Sequence, residues 1–195
     1  MKRDDVSTAI KALGNGEVIV YPTDTLYALG ADVYNEGAVK KVFRIKKRPY
    51  SLPLPLAVAN FNEIDKISHT NEVVKRVVKR FLPGPLTLLL KKKDSISSIV
   101  TGGHDTIAVR IPKNDIALEV LSRFSPITAT SANIHGKKTS FFLNELKMQF
   151  RNDICIYLDN GRLNAPPSTI VDLTSKEPII VRKGAITKEE ILKVI

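Results

Sequence analysis

The chain has 195 residues, 43% of them hydrophobic and 26% charged, a balance that excludes a disordered or fibrous architecture and suits one domain with a core of its own. Thirty Lys and Arg against twenty Asp and Glu give a formal net charge of +10, which favours polyanions such as nucleotides, RNA or acidic surfaces as partners; a lysine-rich solvated surface gives the same balance. No apolar run approaches the roughly 18 residues of a membrane span, and no signal-type block follows Met1-Lys2-Arg3-Asp4-Asp5, so the expected location is the cytoplasm, away from membranes.

Val6, Ala9, Ile10 and Leu13 recur at helical spacing, with Asp4 and Asp5 in the first turn and Gly14 and Gly16 at the end. A strand from Val18 to Tyr21 follows and stops at Pro22, since Pro22-Thr23-Asp24-Thr25 is rich in turn formers. Asn35 caps a helix to about Ile45, which breaks at Lys46-Lys47-Arg48-Pro49 and leaves basic side chains at a helix end. Leu54 to Val58 reads as a strand and Asn71 to Leu82 as a strongly amphipathic helix, with Val73, Val74, Val77, Val78 and Phe81 inward and Lys75, Arg76, Lys79 and Arg80 solvated.

Pro83-Gly84-Pro85 ends that helix, and short strands are predicted at Leu86 to Leu90, Ile107 to Ile111 and Ile127 to Thr130, with a helix around Ile116 to Phe124 between the last two. A helix near Phe142 to Phe150 precedes strands at Ile154 to Leu158, Ser168 to Leu173 and Pro178 to Arg182, and Thr187 with Glu190 forms a capping box for a final helix. Several strands follow one another without a helix between them. The expected fold is therefore α/β with a twisted, mixed parallel and antiparallel sheet and helices packed on it, in one domain over residues 1–195.

The missing motifs exclude whole reaction classes. There is no phosphate loop of the Gly-x-x-x-x-Gly-Lys type and no Gly-x-Gly-x-x-Gly after a strand. His69, His104 and His135 stand apart from one another and from any carboxylate or cysteine at metal-ligand spacing, so each reads as a loop or surface residue. A nucleophile elbow is lacking, and the single Cys155 reads as a small buried strand residue.

What remains is a series of polar motifs at strand ends and breaks. Tyr21 to Gly30 offers two hydroxyls and a carboxylate at the mouth of a strand; Lys46 and Arg48 sit before a proline; Arg110 interrupts an apolar strand and needs an anionic partner. Thr130-Ser131-Ala132-Asn133 ends another strand, Ser168-Thr169 opens the next, and Arg182 precedes Lys183-Gly184. Each alone has an ordinary explanation in turn chemistry, capping or a surface ion pair. In order they are Tyr-Pro-Thr-Asp-Thr-Leu-Tyr-Ala-Leu-Gly, Lys-x-Arg-Pro, Pro83-Gly84-Pro85-Leu86-Thr87, Ala108-Val109-Arg110-Ile111-Pro112, Ser131-Ala132-Asn133, Ser168-Thr169-Ile170-Val171-Asp172 and Arg182-Lys183-Gly184. Together they resemble the YrdC-like family of L-threonylcarbamoyladenylate synthases, over nearly the whole chain.

The resemblance implies the YrdC-like fold around a large basic cavity, and an enzyme that makes threonylcarbamoyl-AMP and pyrophosphate from L-threonine, bicarbonate and ATP. A tRNA-modifying transferase complex then passes the threonylcarbamoyl group to the adenosine next to the anticodon. It implies Lys46 and Arg48 as catalytic clamps on the triphosphate. Leu52, Thr106 through its backbone, Ser131, Asn133, Thr139 and Arg182 are the other ATP contacts. Thr25, Arg110, Ser168 and the Ala129 backbone are the threonine contacts. Mg2+ is expected with ATP, and no tightly bound protein-ligated metal. A closing loop is expected at Lys46 to Pro55.

Ala28 departs from the family's glycine, Leu52 from its polar residue, and Ala57 from the histidine of longer relatives. The chain is expected to be the form without the extra C-terminal domain. Two other classes fit parts of the pattern. A module binding tRNA or double-stranded RNA would use the basic surface at Lys75 to Arg80 and Lys91 to Lys93, and a carbamoyl-adenylate-forming paralogue would share the cavity.

Overall fold

The computed structural model of the protein describes residues 5–154, 156–175 and 177–195. Asp4 and Cys155, both given roles above, lie outside them. The first helix, α1 (Val6–Gly14), is capped by the Asp5 carboxylate, which accepts the Thr8 N–H at 2.7 Å, and it buries Ala9 and Leu13. Strand β1 (Ile19–Pro22) then pairs antiparallel with β2 (Tyr27–Gly30). This return strand differs from the sequence expectation, which ended regular structure at Pro22. The Thr23 hydroxyl accepts the Thr25 and Leu26 N–H groups and donates to the Leu26 carbonyl, so the polar run closes a hairpin turn.

Helix α2 (Glu36–Lys46) starts at an Asn35 cap and stops at Lys47, whose φ of 50° is left-handed. The Lys47 N–H bonds to Arg44 O and the Arg48 N–H to Phe43 O, both at 3.0 Å, a Schellman closure that normally takes glycine. Beyond it lie β3 (Leu56–Ala57), α3 (Phe61–Ile67), α4 (Glu72–Phe81), β4 (Leu86–Lys91), α5 (Ser98–Thr101), β5 (Thr106–Arg110) and α6 (Asp115–Arg123). The chain continues through β6 (Ile127–Thr128), β7 (Thr130–Ser131), α7 (Leu143–Phe150) and β8 (Ile156–Tyr157), and closes with β9 (Thr169–Asp172), β10 (Ile179–Arg182) and α8 (Lys188–Leu192). Helices α3 and α5 were not legible in the sequence. One is two turns long and buries only Ile64 and Ile67; the other is a single turn with no side-chain cap bond. The expected capping box at Thr187 and Glu190 is present.

The mixed sheet resolves into two. One runs β7-β2-β1-β8 and the other β10-β9-β4-β5-β3-β6, each with parallel and antiparallel neighbours. The predicted strand from Ile127 to Thr130 breaks at Ala129, whose N–H leaves the ladder to donate to Pro55 O at 2.7 Å. At this break the chain passes from the six-stranded sheet, through β6, to the four-stranded sheet, through β7.

From Val18 through β1 the residues alternate between two apolar clusters. Val18 and Val20 join the larger, with Leu29, Val42, Leu88 and Val109, whereas Ile19 and Tyr21 join the smaller, with Leu13, Val120 and Leu121. Both faces of this sheet are therefore covered, which accounts for the unbroken burial of β1 and β2. Ala28 lies in the smaller cluster, and among the described non-glycine residues only Lys47 and Arg151 have positive φ. Alanine at 28 therefore meets no backbone demand for glycine. Among the described residues no helix is long and apolar enough to cross a membrane.

Lys47 holds a left-handed backbone without glycine's freedom. Lys47→Gly should raise the unfolding free energy by about 1 kcal/mol, read as a higher urea midpoint at unchanged slope.

Candidate functional site

The site forms where the two sheets meet, between the β1–β2 turn, the end of β5, the Ala129 break and the end of α2. Arg110, the last residue of β5, is only 6% exposed. Its guanidinium donates to Asp24 Oδ1 at 2.5 Å, to Gly84 O at 2.9 Å and to Thr25 Oγ1 at 3.3 Å. Asp24 Oδ1 also accepts the Lys113 N–H at 3.2 Å, tying the hairpin turn to the chain just beyond β5. Arg110 Nε and Asp24 Oδ2 are buried without a hydrogen-bond partner among the described residues. A buried guanidinium with one carboxylate and an unused N–H retains capacity for a second anion.

A second guanidinium converges on the same place. Arg182, ending β10, donates from Nε and Nη2 to Ser168 O at 3.1 and 2.8 Å and from Nη2 to Ser168 Oγ at 2.9 Å. The Ser168 hydroxyl in turn meets Thr87 Oγ1 at 2.8 Å. Burial, and after it the nearby charge of Arg110, draws the Arg182 pKa below the ordinary arginine value. The return of the chain is tight here: a Cβ on Gly184 would lie 2.3 Å from Pro167 O and 2.4 Å from Thr169 N, so only glycine fits.

The third group is built on the end of α2. Lys46 is 1% exposed, and its Nζ donates to Ser131 O at 2.5 Å, Asn133 O at 2.8 Å and Asn133 Oδ1 at 2.9 Å. Ser131 Oγ donates to the same Asn133 Oδ1 at 2.7 Å, and Asn133 Nδ2 donates to Lys137 O. Burial, then the Arg48 charge, lowers the Lys46 pKa to about 7, while three oxygens acting as acceptors pull the other way and favour the ammonium. Arg48 donates to Pro53 O at 2.9 Å and, over longer reaches, to Leu52 O at 3.4 Å and His135 Nδ1 at 3.5 Å.

The predicted residues thus fall into two groups. Thr25, Arg110 and Ser168 gather with Arg182, which the sequence reading assigned to ATP; Lys46, Arg48, Ser131 and Asn133 gather with Leu52, present through its carbonyl. The Ala129 break lies between them. Thr106 opens β5 opposite Lys91, about 13 Å along the strand from Arg110, and Thr139 sits half-buried in the loop between β7 and α7. Asp24, Thr87 and His135 were missed as site residues. Asp24 pairs with Arg110 from 86 residues away, with Asp105 and Asp115 nearer in sequence, and so was not legible as its partner; nor was His135, because its contact with Arg48 depends on the His135 N–H bond to Lys46 O at 2.7 Å. The expected closing loop is pinned at Arg48, at Leu54 N–H to Val100 O (2.9 Å) and at Leu52 N–H to Pro49 O (3.1 Å). Ala57 is buried in β3 opposite Arg110. Beside Arg48 a cleft of about 590 Å3 is lined by Lys40, Lys41, Arg44, Lys47, Phe43 and Tyr50.

Two sheets joined at a strand break, with cations and hydroxyls gathered around it, define a mixed α/β protein. The family model Sua5/YciO/YrdC, described as "Telomere recombination", matches residues 11–184, and the chain belongs to that family. It is 39% identical over 183 residues to the threonylcarbamoyl-AMP synthase of Pyrococcus abyssi, covering 92% of this chain and 54% of the relative. It is 37% identical over 184 residues to a putative threonylcarbamoyl-AMP synthase of Methanocaldococcus jannaschii, covering 94% and 87%. The chain therefore spans about half the length of the first relative. The crystal structure of P. abyssi Sua5 complexed with L-threonine superposes with a TM-score of 0.93 at 37% identity, over 97% of this chain and 57% of that one.

Truncating one member of a buried ion pair leaves the other charge uncompensated. Asp24→Ala should cost about 3 kcal/mol of stability, measured by denaturant titration, whereas Asp24→Asn, which keeps an acceptor for Arg110, should cost clearly less.

Proposed function

We propose that this protein is a threonylcarbamoyl-AMP synthase, forming threonylcarbamoyl-AMP and pyrophosphate from L-threonine, bicarbonate and ATP. The observation that carries the proposal is the pairing of two cationic groups across the Ala129 break. Arg110, Arg182, Thr25 and Ser168 stand on one side, and Arg48, Ser131 and Asn133 on the other. The relative's complex with L-threonine supports an amino acid as one ligand.

Arg110 and Arg182 take the threonine carboxylate, with Thr25, Ser168 and the Ala129 backbone around it. Two guanidiniums against the single Asp24 carboxylate leave net positive charge for a bound anion. Arg48, Ser131, Asn133 and the chain at Leu52 hold the nucleotide, with Thr106 and Thr139 as further contacts, and Mg2+ arrives as part of the MgATP substrate. The threonine amine forms a C–N bond to the bicarbonate carbon with loss of water. A carbamate oxygen then attacks the α-phosphorus, and the bond to the bridging oxygen breaks as pyrophosphate leaves. The protein holds two anionic reactants together and spreads charge in the transition state, so no covalent nucleophile is needed. The product is an activated anhydride whose consumer is a transferase acting on tRNA in the cytoplasm.

Incubation with MgATP and bicarbonate should release pyrophosphate and give the threonylcarbamoyl adenylate mass only when L-threonine is present; identical output without threonine rejects the substrate. Arg110→Lys, which keeps charge but loses the planar fork, should weaken threonine binding about tenfold or more while leaving ATP binding nearly intact. Arg48→Ala should do the reverse in paired calorimetric titrations, and equal loss of both ligands in each variant reverses the assignment of roles.

A further inference from the structure

Lys46 is usually the kind of residue one would place on a phosphate, yet its donors are spent elsewhere. An ammonium carries three N–H bonds, and those of Lys46 meet Ser131 O, Asn133 O and Asn133 Oδ1. The side chain is 1% exposed. Its backbone carbonyl is also engaged, accepting the His135 N–H at 2.7 Å. Arg48 differs: three of its five guanidinium donors are engaged, two of them at 3.4 Å or more, and it lines the open cleft.

Resting on the synthase assignment, we propose that Lys46 is a positioning residue: its ammonium fastens the Ser131–Asn133 turn to the end of α2, and phosphate recognition falls to Arg48 and the turn itself. Five hydrogen bonds build this fastening. Lys46 and Ser131 both donate to Asn133 Oδ1, which fixes the orientation of the amide, and Asn133 Nδ2 is turned toward Lys137 O. A turn stapled in this way arrives with its groups already aimed, so the ligand does not have to order them. The left-handed Lys47 then swings the chain so that Arg48, the next residue, emerges at the cleft while Lys46 points inward.

The test is a double-mutant cycle in MgATP affinity, measured by calorimetry without threonine or bicarbonate. Lys46→Met and Asn133→Ala should each weaken binding about tenfold, and the double variant should be no worse than either. Threonine affinity should stay at the wild-type value, which a general loss of structure would not allow. A double variant that loses the product of the two factors, about a hundredfold, overturns the proposal, because the lysine would then contribute independently of the turn.

The wild-type protein supplies a second measurement that holds even where Lys46→Met does not fold. The Lys46 Nζ proton resonances should be protected from exchange before ligand is added and unmoved by MgATP, while the Arg48 side-chain resonances shift; a large shift at Lys46 rejects the staple. If the wild-type protein binds no adenine nucleotide, the synthase assignment fails. The Lys46–Asn133 coupling, read instead in denaturant titrations, then decides whether the staple exists.

Discussion

A guanidinium cannot shed its proton inside a protein, so the chain must build a neutralising environment wherever it buries one. Arg110 at the end of β5 imposes that requirement on two separate segments: Asp24 and Thr25 from the β1–β2 turn and the Gly84 carbonyl from the turn before β4. The hairpin turn is held against the six-stranded sheet by this charge, and Lys113 N–H reinforces the attachment through the same Asp24 oxygen. A hydrophobic residue at 110 would bind the segments more cheaply, but would provide nothing for an anion. The arrangement accepts the cost of burying charge and retains a cation whose neutralisation is incomplete.

The two halves of the site solve their electrostatic problem differently. On one side, charge is concentrated: burial, and after it the charge of Arg110, lowers the Arg182 pKa, and among the described residues Asp24 is the carboxylate that pairs with Arg110. On the other, Lys46 is absorbed into the protein by oxygens that accept from it, and Arg48 is left half free at a cleft edge. Between the two halves runs a strand break of one residue, Ala129, fixed by its bond to Pro55 O. The reacting groups would therefore meet on backbone held by both sheets, and precise placement is what anionic group transfer requires of a protein.

Much of this was legible in the residues because polar motifs at strand ends stand out against apolar strands. Arg110 was identifiable as a charge lacking a local partner, and the capping residues Asn35 and Thr187 act where the sequence places them, whereas Asp5, read as a first-turn residue, is the N-cap of α1. The misses have a common cause. The β2 strand was hidden because Pro22 to Thr25 reads as an exit from structure, whereas Thr23 turns the chain straight back. Whether Arg182 serves one ligand or the other depends on β10 pairing with β9 and returning over Ser168, a long-range fact that no local pattern contains. Lys46 was readable as basic and adjacent to a break; that its donors face inward follows only from the fold.

The close approach of Tyr21 and Gly30 has a further meaning for how the chain finds its register. A Cβ at position 30 would lie 3.0 Å from the Tyr21 ring, and the ring's hydroxyl donates to Thr128 O at 3.0 Å, across to the other sheet. A slip of the β1–β2 hairpin by one residue would set Leu29 or Ala31 in place of the glycine and turn the ring to the opposite face. Either misalignment would lose the bond to Thr128 and collide with a side chain. The bare backbone at position 30 thus works as a keyhole: only one alignment of the hairpin lets the ring through to join the two sheets, and that alignment is the one that brings Thr25 to Arg110.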